Sequence, residues 1–250
     1  MTRLFRLSVT TVGLLAAWWL LVWLTEAPPF MLPDPARVIG VLVERFWSIL
    51  PHAGITGVEI LIGLALGTIF GGASALLLVS VAPVRRWLMP LLVVSQALPV
   101  FALAPLLTLW FGYGLASKIA MATLIIFFPV TAAFYDGLRR IDPGWLDLAR
   151  VMGGSRATTL LHLRLPAALP AFGSGLRVAT AVAPIGAVVG EWVGSSAGLG
   201  YLMLHANGRM QTDLMFAALL VLAVMALTLY AAVDAGARAL TRWQPEDGYA

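Results

Sequence analysis

Long apolar runs alternate with short polar segments along almost the whole chain. Several of these runs exceed the roughly 18 residues that a helix needs to cross a bilayer. Backbone groups in lipid must find hydrogen-bonding partners within their own segment, so each run is expected to be a helix. The pattern predicts an all-α, polytopic membrane protein with about six transmembrane helices, at 9–24, 54–81, 87–111, 118–134, 169–189 and 214–233.

The first 50 residues are expected to combine a membrane span with a surface helix. Arg3 and Arg6 precede the first apolar run, as also happens in cleaved signal peptides. The sequence after the run, T-E-A-P-P, contains no small-x-small cleavage site, which favours an uncleaved span. Asp34 followed by Pro35 is typical of a helix start. The apolar spacing at 36–50 then predicts an amphipathic helix lying along the outer surface.

The second apolar run carries a stripe of small residues and one carboxylate. Gly63, Gly67 and Gly71 recur every four residues, so this helix face is expected to let another helix approach closely. Glu59 lies near the outer end of the same run. Its carboxylate is expected either to reach the membrane surface or to line a polar cavity.

The third apolar run is interrupted by three prolines, which remove backbone hydrogen bonds. Broken helices are tolerated inside membranes where protein or a water-filled path satisfies the freed groups. Ser95, Gln96 and Pro99 are therefore predicted to line a solute pathway, with Glu191 as a further candidate. A helix that is only kinked is the alternative interpretation.

The basic residues predict an orientation. If the N-terminus is inside and the chain crosses six times, only Arg37, Arg45, Lys118 and Arg209 of the 16 Lys and Arg residues fall outside. Cytoplasmic loops are enriched in basic residues, so both termini are predicted to be cytoplasmic. The net charge of +4 reflects this bias rather than nucleic-acid binding, because 60% of the residues are hydrophobic.

Several kinds of chemistry are not expected of this chain. It contains no Cys, which excludes disulfides and thiolate metal sites. Its three His residues are far apart in sequence, so no metal site is predicted. Neither a G-x-x-x-x-G-K-[ST] phosphate loop nor an H-E-x-x-H sequence occurs. No catalytic residue is therefore assigned.

The segment 147–170 is the longest mid-chain stretch unsuited to lipid. Arg150, Arg156, His162 and Arg164 interrupt its apolar residues, so it should face water and a water-soluble partner. By the predicted topology this segment is cytoplasmic.

Local signals in this segment predict a rigid helix-turn-helix. Gly153 and Gly154 favour a sharp turn, and Ser155 can cap a second helix. Pro166 and Pro170 are expected to set the angle at which the chain re-enters the membrane.

The same residues resemble a known motif. D-L-A, three residues, G, nine residues and L-R-L-P follow the spacing of E-A-A-x3-G-x9-I-x-L-P, with Asp for Glu and Leu for Ala and for Ile. That motif belongs to permease subunits of binding-protein-dependent ABC importers. The segments 198–201 and 212–217 resemble the nitrate/sulfonate/taurine-type branch, and 95–107 is similar to permeases for the thiamine precursor hydroxymethylpyrimidine. The resemblance implies that the ATPase-coupling residues are Asp147, Leu148, Ala149, Gly153, Leu163, Leu165 and Pro166.

The resemblance also implies a fold, partners and a location. The fold would be the type I importer transmembrane domain at 51–240, after an N-terminal region at 1–50 and before a cytoplasmic tail at 241–250. A second permease chain, usually identical, two ATPase subunits and an outer binding protein would complete an alternating-access importer in a bacterial inner membrane. ATP and Mg would bind the ATPase, leaving no cofactor on this chain. The implied substrate is a small organic solute such as a thiamine-precursor pyrimidine or a sulfonate.

An ion-gradient-driven secondary transporter or channel is the alternative function. Such a protein is expected to hold carboxylates deep in the membrane. Glu59 and Glu191 are both predicted to lie near the outer surface, which favours the ATP-driven importer. Whether either carboxylate contacts substrate is left open by the sequence.

Overall fold

All the regular secondary structure in the described residues is helical. A computed structural model describes residues 3–243. The helices are α1 (Arg3–Thr25), α2 (Pro35–Glu44), α3 (Phe46–Ser80), α4 (Ala82–Ala97), α5 (Val100–Phe111), α6 (Leu115–Arg139), α7 (Pro143–Val151), α8 (Arg156–Thr159), α9 (Leu165–Gly194), α10 (Leu199–Gly208) and α11 (Thr212–Leu240). A π-helical turn, Leu160–Arg164, joins α8 to α9. The predicted all-α class is confirmed.

Five helices within residues 3–243 are long and apolar enough to cross a membrane. They are α1, α3, α6, α11 and the continuous helix that runs from the start of α8 to the end of α9. Helices α4 and α5 form a sixth span if they are taken together, and they meet at a bend of 104°. The predicted tail after residue 243 lies outside the described residues.

The start of α2 follows the sequence prediction, but its end does not. The backbone N–H of Arg37 donates to Asp34 Oδ1 at 2.9 Å, and Pro35 occupies the first turn. The helix predicted to continue to residue 50 instead ends at Glu44. The carbonyl of Arg45 accepts from the N–H groups of Ser48 and Ile49, so a new helix begins there and becomes the second span.

The chain forms two compact units. The first comprises Met1–Thr56 and Ser196–Val224, and the second comprises Gly57–Ser195 and Met225–Ala250. In the first unit, Trp18 of α1 stacks on Phe216 of α11 with ring centroids 5.7 Å apart. Trp18 Nε1 also donates to the carbonyl of Pro33 at 3.2 Å. The first span is therefore attached to a later span by an aromatic pair.

In the second unit, α3 and α6 run parallel and nearly touch. A Cβ built on Gly63 would come within 2.5 Å of Ala122 Cβ, and one on Gly67 within 2.5 Å of Ile126 Cγ2. From one contact to the next, the residue numbers increase on both helices, so α3 and α6 are parallel. The close approach predicted from the glycine spacing is confirmed. Because the two helices are parallel, the intervening α4–α5 pair has to cross back and counts as one broken span.

Helix α9 packs antiparallel to α6 and is just as close. A Cβ on Gly175 would lie 2.6 Å from Ala133 Cβ, and one on Gly186 would lie 2.7 Å from Ala122 Cα. From one contact to the next, the residue numbers increase on α9 and decrease on α6, so the two helices are antiparallel. Small residues on both sides thus let the two backbones approach, which is the main route to association in lipid.

Helix α11 closes the second unit through α9. Gly173 faces Ala237, and Arg177 Nε donates to Asp234 Oδ1 at 2.6 Å. Arg238 pairs with the other oxygen of the same carboxylate. The Asp234 carboxylate therefore joins α11 to α9 through Arg177, while Arg238 is its neighbour on α11 itself.

The Gly67 contact supplies a stability test. Replacing Gly67 with Ala places a methyl group against Ile126, and overpacking of this kind typically costs about 1–3 kcal/mol. We expect Gly67→Ala to lower the melting temperature of the purified protein in detergent. Gly72 is the matched control, because a Cβ there meets nothing within 4 Å. Gly72→Ala should leave the melting temperature unchanged or raise it, and equal destabilisation by both substitutions would contradict the close α3–α6 contact.

Candidate functional site

The segment between α6 and α9 folds into a hairpin of two helices. The first helix, α7, starts where the N–H of Gly144 donates to Asp142 Oδ1 at 2.7 Å, with Pro143 in the first turn. Its end is closed by two backbone bonds, from Gly153 N to Arg150 O at 3.0 Å and from Gly154 N to Ala149 O at 2.8 Å. This pairing is the Schellman motif of helix C-termini.

Both glycines of the turn are required by its geometry. Gly153 has a φ of +76°, a conformation that side chains with a Cβ rarely adopt. A Cβ on Gly154 would lie 2.8 Å from the carbonyl oxygen of Ala149. The sharp turn predicted from the glycine pair is confirmed.

The second helix of the hairpin continues into the membrane without a break. The Ser155 side chain caps it by accepting from the N–H of Thr158 at 3.1 Å, as predicted. Pro166 cannot donate a backbone hydrogen bond, and its ring would collide with the carbonyl of His162 in a regular α-helix. The π turn at Leu160–Arg164 widens the helix immediately before this proline. Pro166 and Pro170 therefore lie within a continuous helix, and their expected role in setting the angle of re-entry stays a prediction.

Apolar contacts hold the hairpin against the spans. Leu160 and Leu165 pack on a buried cluster in the second unit. The cluster draws its side chains from α3, α4, α6 and α9, and its members are Ala75, Leu78, Leu92, Phe134, Tyr135, Leu138 and Ala168. The second hairpin helix therefore contacts a cluster that is shared by four membrane helices.

The first helix of the hairpin presents an exposed apolar surface. Leu148, Val151 and Met152 are 59%, 86% and 77% exposed, respectively. We call these three side chains the apolar tip. Contiguous exposed apolar side chains on a polar segment are typical of a contact surface for another protein.

The remaining motif residues lie on both helices of the hairpin. Asp147 is exposed and pairs with Arg150 at 2.8 Å, and Ala149 is half-buried. Leu163, Leu165 and Pro166 are half-buried in the second helix. The turn thus brings the two halves of the motif together, and the coupling roles of its residues stay a prediction.

The predicted pathway residues lie in different surroundings. Ser95 is exposed on α4 and donates to the carbonyl of Leu92 at 2.7 Å, and Pro99 lies at the bend before α5. The backbone of Gln96 is helical, but its side chain lies outside the described part of the chain. Glu191 is buried within α9, at 1% exposure. Their roles along a pathway stay a prediction.

Three charged residues meet inside the second unit, and sequence reasoning missed this cluster. Glu59 of α3, Lys118 of α6 and Glu191 of α9 are 0%, 3% and 1% exposed. The three charges act on one another electrostatically. Lys118 lies in the first turn of α6 and Glu191 in the last turn of α9, so the cluster is near helix ends, and the expected position of both carboxylates near the outer surface stays a prediction. A lysine at the start of an apolar run was the available signal, but nothing in the sequence pairs it with carboxylates more than 50 residues away.

Hydrogen bonds explain how Lys118 is held in this buried position. Its Nζ donates to the carbonyls of Tyr113 and Gly114 at 2.7 and 2.9 Å, which closes the turn before α6. Neither carboxylate oxygen of Glu59 has a hydrogen-bonding partner of good geometry among the described residues. Of the two ionisable side chains that act on Glu59, Lys118 is the cation and Glu191 the second carboxylate.

Two other chemical possibilities are not supported by the geometry. Within residues 3–243, no group of three or more His, Cys, Asp or Glu side chains could hold a metal ion. The sequence G-S-S-A-G at 194–198 has the G-x-S-x-G spacing of serine hydrolases. It connects two helices, however, and not the strand and helix that such a nucleophile requires.

The cluster of Glu59, Lys118 and Glu191 can be tested with a second substitution that rescues the first. Removing one partner of a buried ionic group typically costs about 3–5 kcal/mol, because the remaining charge is left without compensation. We expect Lys118→Met to lower the melting temperature in detergent strongly. Adding Glu59→Gln removes one of the two carboxylates and should restore part of the loss. A double variant no more stable than Lys118→Met would show that the lysine does not compensate these carboxylates.

Comparisons with known sequences agree on one protein family. Residues 63–244 match the family described as "Binding-protein-dependent transport system inner membrane component". A probable ABC transporter permease protein of Haemophilus influenzae is 57% identical over 93% of this chain and 95% of its own length. The formylaminopyrimidine transport permease protein ThiX of Halalkalibacterium halodurans is 36% identical over 86% of this chain and 87% of its own. The taurine transport system permease protein TauC of Escherichia coli is 30% identical over 98% and 92%.

A solved structure agrees on the fold. An inward-facing conformation of the MetNI methionine ABC transporter superposes with a TM-score of 0.69 at 20% identity, over 80% of this chain and 99% of the matched chain. The expected resemblances to type I importer permeases, to the taurine-type branch and to thiamine-precursor permeases are confirmed. The chain is a transport component and not an enzyme. It belongs to the family of binding-protein-dependent transport system inner membrane components and is a multi-pass permease subunit of an ABC importer.

Proposed function

We propose that this permease receives the force of ATP hydrolysis through residues 147–166, which make up most of the hairpin that begins at Pro143, and passes it to the membrane spans. The apolar tip of the hairpin is the contact surface for a cytoplasmic ATPase subunit. One observation carries the proposal: the exposed tip belongs to a hairpin whose second helix is continuous with α9. A ligand shifts an equilibrium only if it binds two states differently. In this proposal the hairpin moves with the spans, so the apolar tip has a different position in each transport state. The ATPase can therefore bind the two states with different affinity.

The charges support a cytoplasmic hairpin. Arg85, Arg86, Arg139 and Arg140 lie near the ends of the second unit's helices that adjoin the hairpin, whereas Lys118 lies at the opposite end of α6. Basic residues are enriched on the cytoplasmic side. With six crossings, this orientation places both termini of the chain in the cytoplasm.

The family implies an ATPase and a substrate-binding protein as partners. We propose a transporter built from two copies of this chain, two ATPase subunits that bind ATP and Mg, and an extracytoplasmic binding protein. Many apolar side chains of the spans are exposed on the isolated chain, which leaves surface both for lipid and for a second copy.

The substrate is proposed to be a small organic solute. The relative named for formylaminopyrimidine supports a pyrimidine related to thiamine precursors, and the relative named for taurine supports a sulfonate. The residues at the broken span, Ser95 and Pro99, are the proposed pathway-lining positions, together with Gln96 and Glu191.

Ion-gradient-driven transport is the second candidate, and one observation favours it. Glu59, Lys118 and Glu191 are buried ionisable residues in membrane helices, and such residues often mark ion pathways. The two functions separate in proteoliposomes that contain the permease alone. Uptake driven by a proton or sodium gradient without ATPase would favour the second candidate, and uptake only with the ATPase and ATP would exclude it.

The apolar tip gives a direct test of ATPase docking. A buried side chain of this size contributes about 1.5–3 kcal/mol. Val151→Asp combined with Met152→Asp should therefore weaken ATPase binding by about 100-fold or more. Co-purification of the co-expressed ATPase with the tagged permease measures the effect. The matched control, Val151→Ile with Met152→Leu, keeps the surface apolar and should retain the ATPase. Full retention by the Asp variant would contradict docking through the tip.

The orientation can be tested by cysteine labelling, since the chain contains no Cys. Trp145 and Tyr113 are exposed near opposite ends of α6, and neither belongs to the apolar tip. In intact cells, a membrane-impermeant maleimide should label Tyr113→Cys from outside and should label Trp145→Cys only after the membrane is opened. The reverse pattern would place the hairpin outside the cell.

A further inference from the structure

A cavity of about 630 Å³ lies behind the hairpin, on the side away from the apolar tip. Its walls come from the first hairpin helix, the second hairpin helix and the corner between α3 and α4. The volume falls within the range of about 300–1,000 Å³ that is common for small-ligand sites. The cavity belongs wholly to the second unit, and its residues differ from those of the apolar tip.

Three arginines line this cavity, and the charge is unbalanced. Arg150, Arg156 and Arg164 contribute to its wall, and no carboxylate does so among the described residues. Arg150 pairs with Asp147 outside the wall. Arg156 and Arg164 take part in none of the ion pairs found within residues 3–243. The cavity therefore favours an anion, and guanidinium groups bind phosphate with paired, charge-assisted hydrogen bonds.

The rest of the wall indicates which kind of anion. Val79, Leu146 and Leu160 add apolar surface, while Ser80 and Thr159 add hydroxyl groups. The cavity lies at the end of the α3 span and the start of the helix that becomes α9, so the proposed topology puts it at the membrane surface, at the level of the lipid headgroups. A soluble anion would gain nothing from the apolar wall, whereas a phospholipid offers a phosphate and the beginning of an acyl chain.

We propose that the cavity binds the phosphate-bearing headgroup of an anionic phospholipid, such as phosphatidylglycerol, at the membrane surface next to the hairpin. The lipid phosphate contacts the guanidinium groups of Arg156 and Arg164, and its glycerol and upper acyl chain lie against the apolar wall. The bound lipid connects the hairpin to the α3–α4 corner. This inference goes beyond ATPase docking and depends only on the chain's lying in a membrane with the hairpin at one surface.

The test compares lipid retention by matched variants. The full-length permease is purified in detergent and titrated with phosphatidylglycerol or with phosphatidylethanolamine, and bound lipid is counted by native mass spectrometry. Each basic residue near anionic lipid contributes about 1 kcal/mol. Arg156→Gln with Arg164→Gln should therefore weaken phosphatidylglycerol binding by roughly 10- to 30-fold. Arg156→Lys with Arg164→Lys keeps both charges and should retain more of the binding.

The control removes the same charge from the same side of the membrane. Arg85 and Arg86 are exposed, lie close in sequence to the cavity wall and do not line the cavity. Arg85→Gln with Arg86→Gln should retain phosphatidylglycerol like the parent protein. Equal loss in both Gln variants would show general surface attraction and would overturn the site.

Two further measurements distinguish the proposed lipid from a soluble anion and from an acidic segment of the ATPase. Inorganic phosphate at millimolar concentration should not displace the lipid, and displacement would identify a soluble-anion site instead. ATPase co-purification should survive in the Arg156→Gln, Arg164→Gln variant. Loss of the ATPase with lipid binding unchanged would assign the arginines to an acidic segment of the partner. Failure of the apolar-tip test would leave this lipid result unaffected, so the two proposals can fail separately.

Discussion

The structure depends on how closely α6 is approached from two sides. Glycines of α3 and α9 leave no room for a Cβ against α6, so the three backbones meet almost directly. In lipid, where apolar burial no longer drives association, such close packing holds helices together. The arrangement also fixes the path of the chain. A parallel α3–α6 pair obliges the segment between them to cross, and it does so as two helices bent by 104°.

The hairpin is held by backbone hydrogen bonds in its own turn and by side-chain contacts with the membrane helices. Its turn is closed by backbone hydrogen bonds that only glycine permits at Gly153 and Gly154. Its second helix reaches the membrane through a π turn that accommodates Pro166, and Leu160 and Leu165 anchor it to the cluster shared by four spans. The two faces of the hairpin then differ in chemistry, with an apolar tip on one and an arginine-lined cavity on the other.

The sequence could predict features that depend on neighbouring residues. The Asp34 and Ser155 caps, the Gly153 turn and the glycine stripe are local, and the structure confirms each of them. The cluster of Glu59, Lys118 and Glu191 could not be predicted, because three distant helices bring it together. The same holds for the cavity behind the hairpin, whose wall combines separate segments. The continuous helix through Pro166 was also missed, since the usual effect of proline is to end a helix and not to widen one turn.

The hairpin and the second unit's spans are expected to move as one body when the ATPase closes. Pulsed electron paramagnetic resonance can test this in the assembled transporter, with spin labels at Trp145→Cys and Tyr113→Cys in one chain and an unlabelled second chain. Trp145 is exposed on the first hairpin helix and lies outside the apolar tip, so its label leaves the docking surface intact. The distance between the two labels should change by less than about 2 Å, the scale of shifts between packed helices, when ATP is bound. A change of about 5 Å or more, one helical turn, would show instead that the hairpin swings independently of the spans.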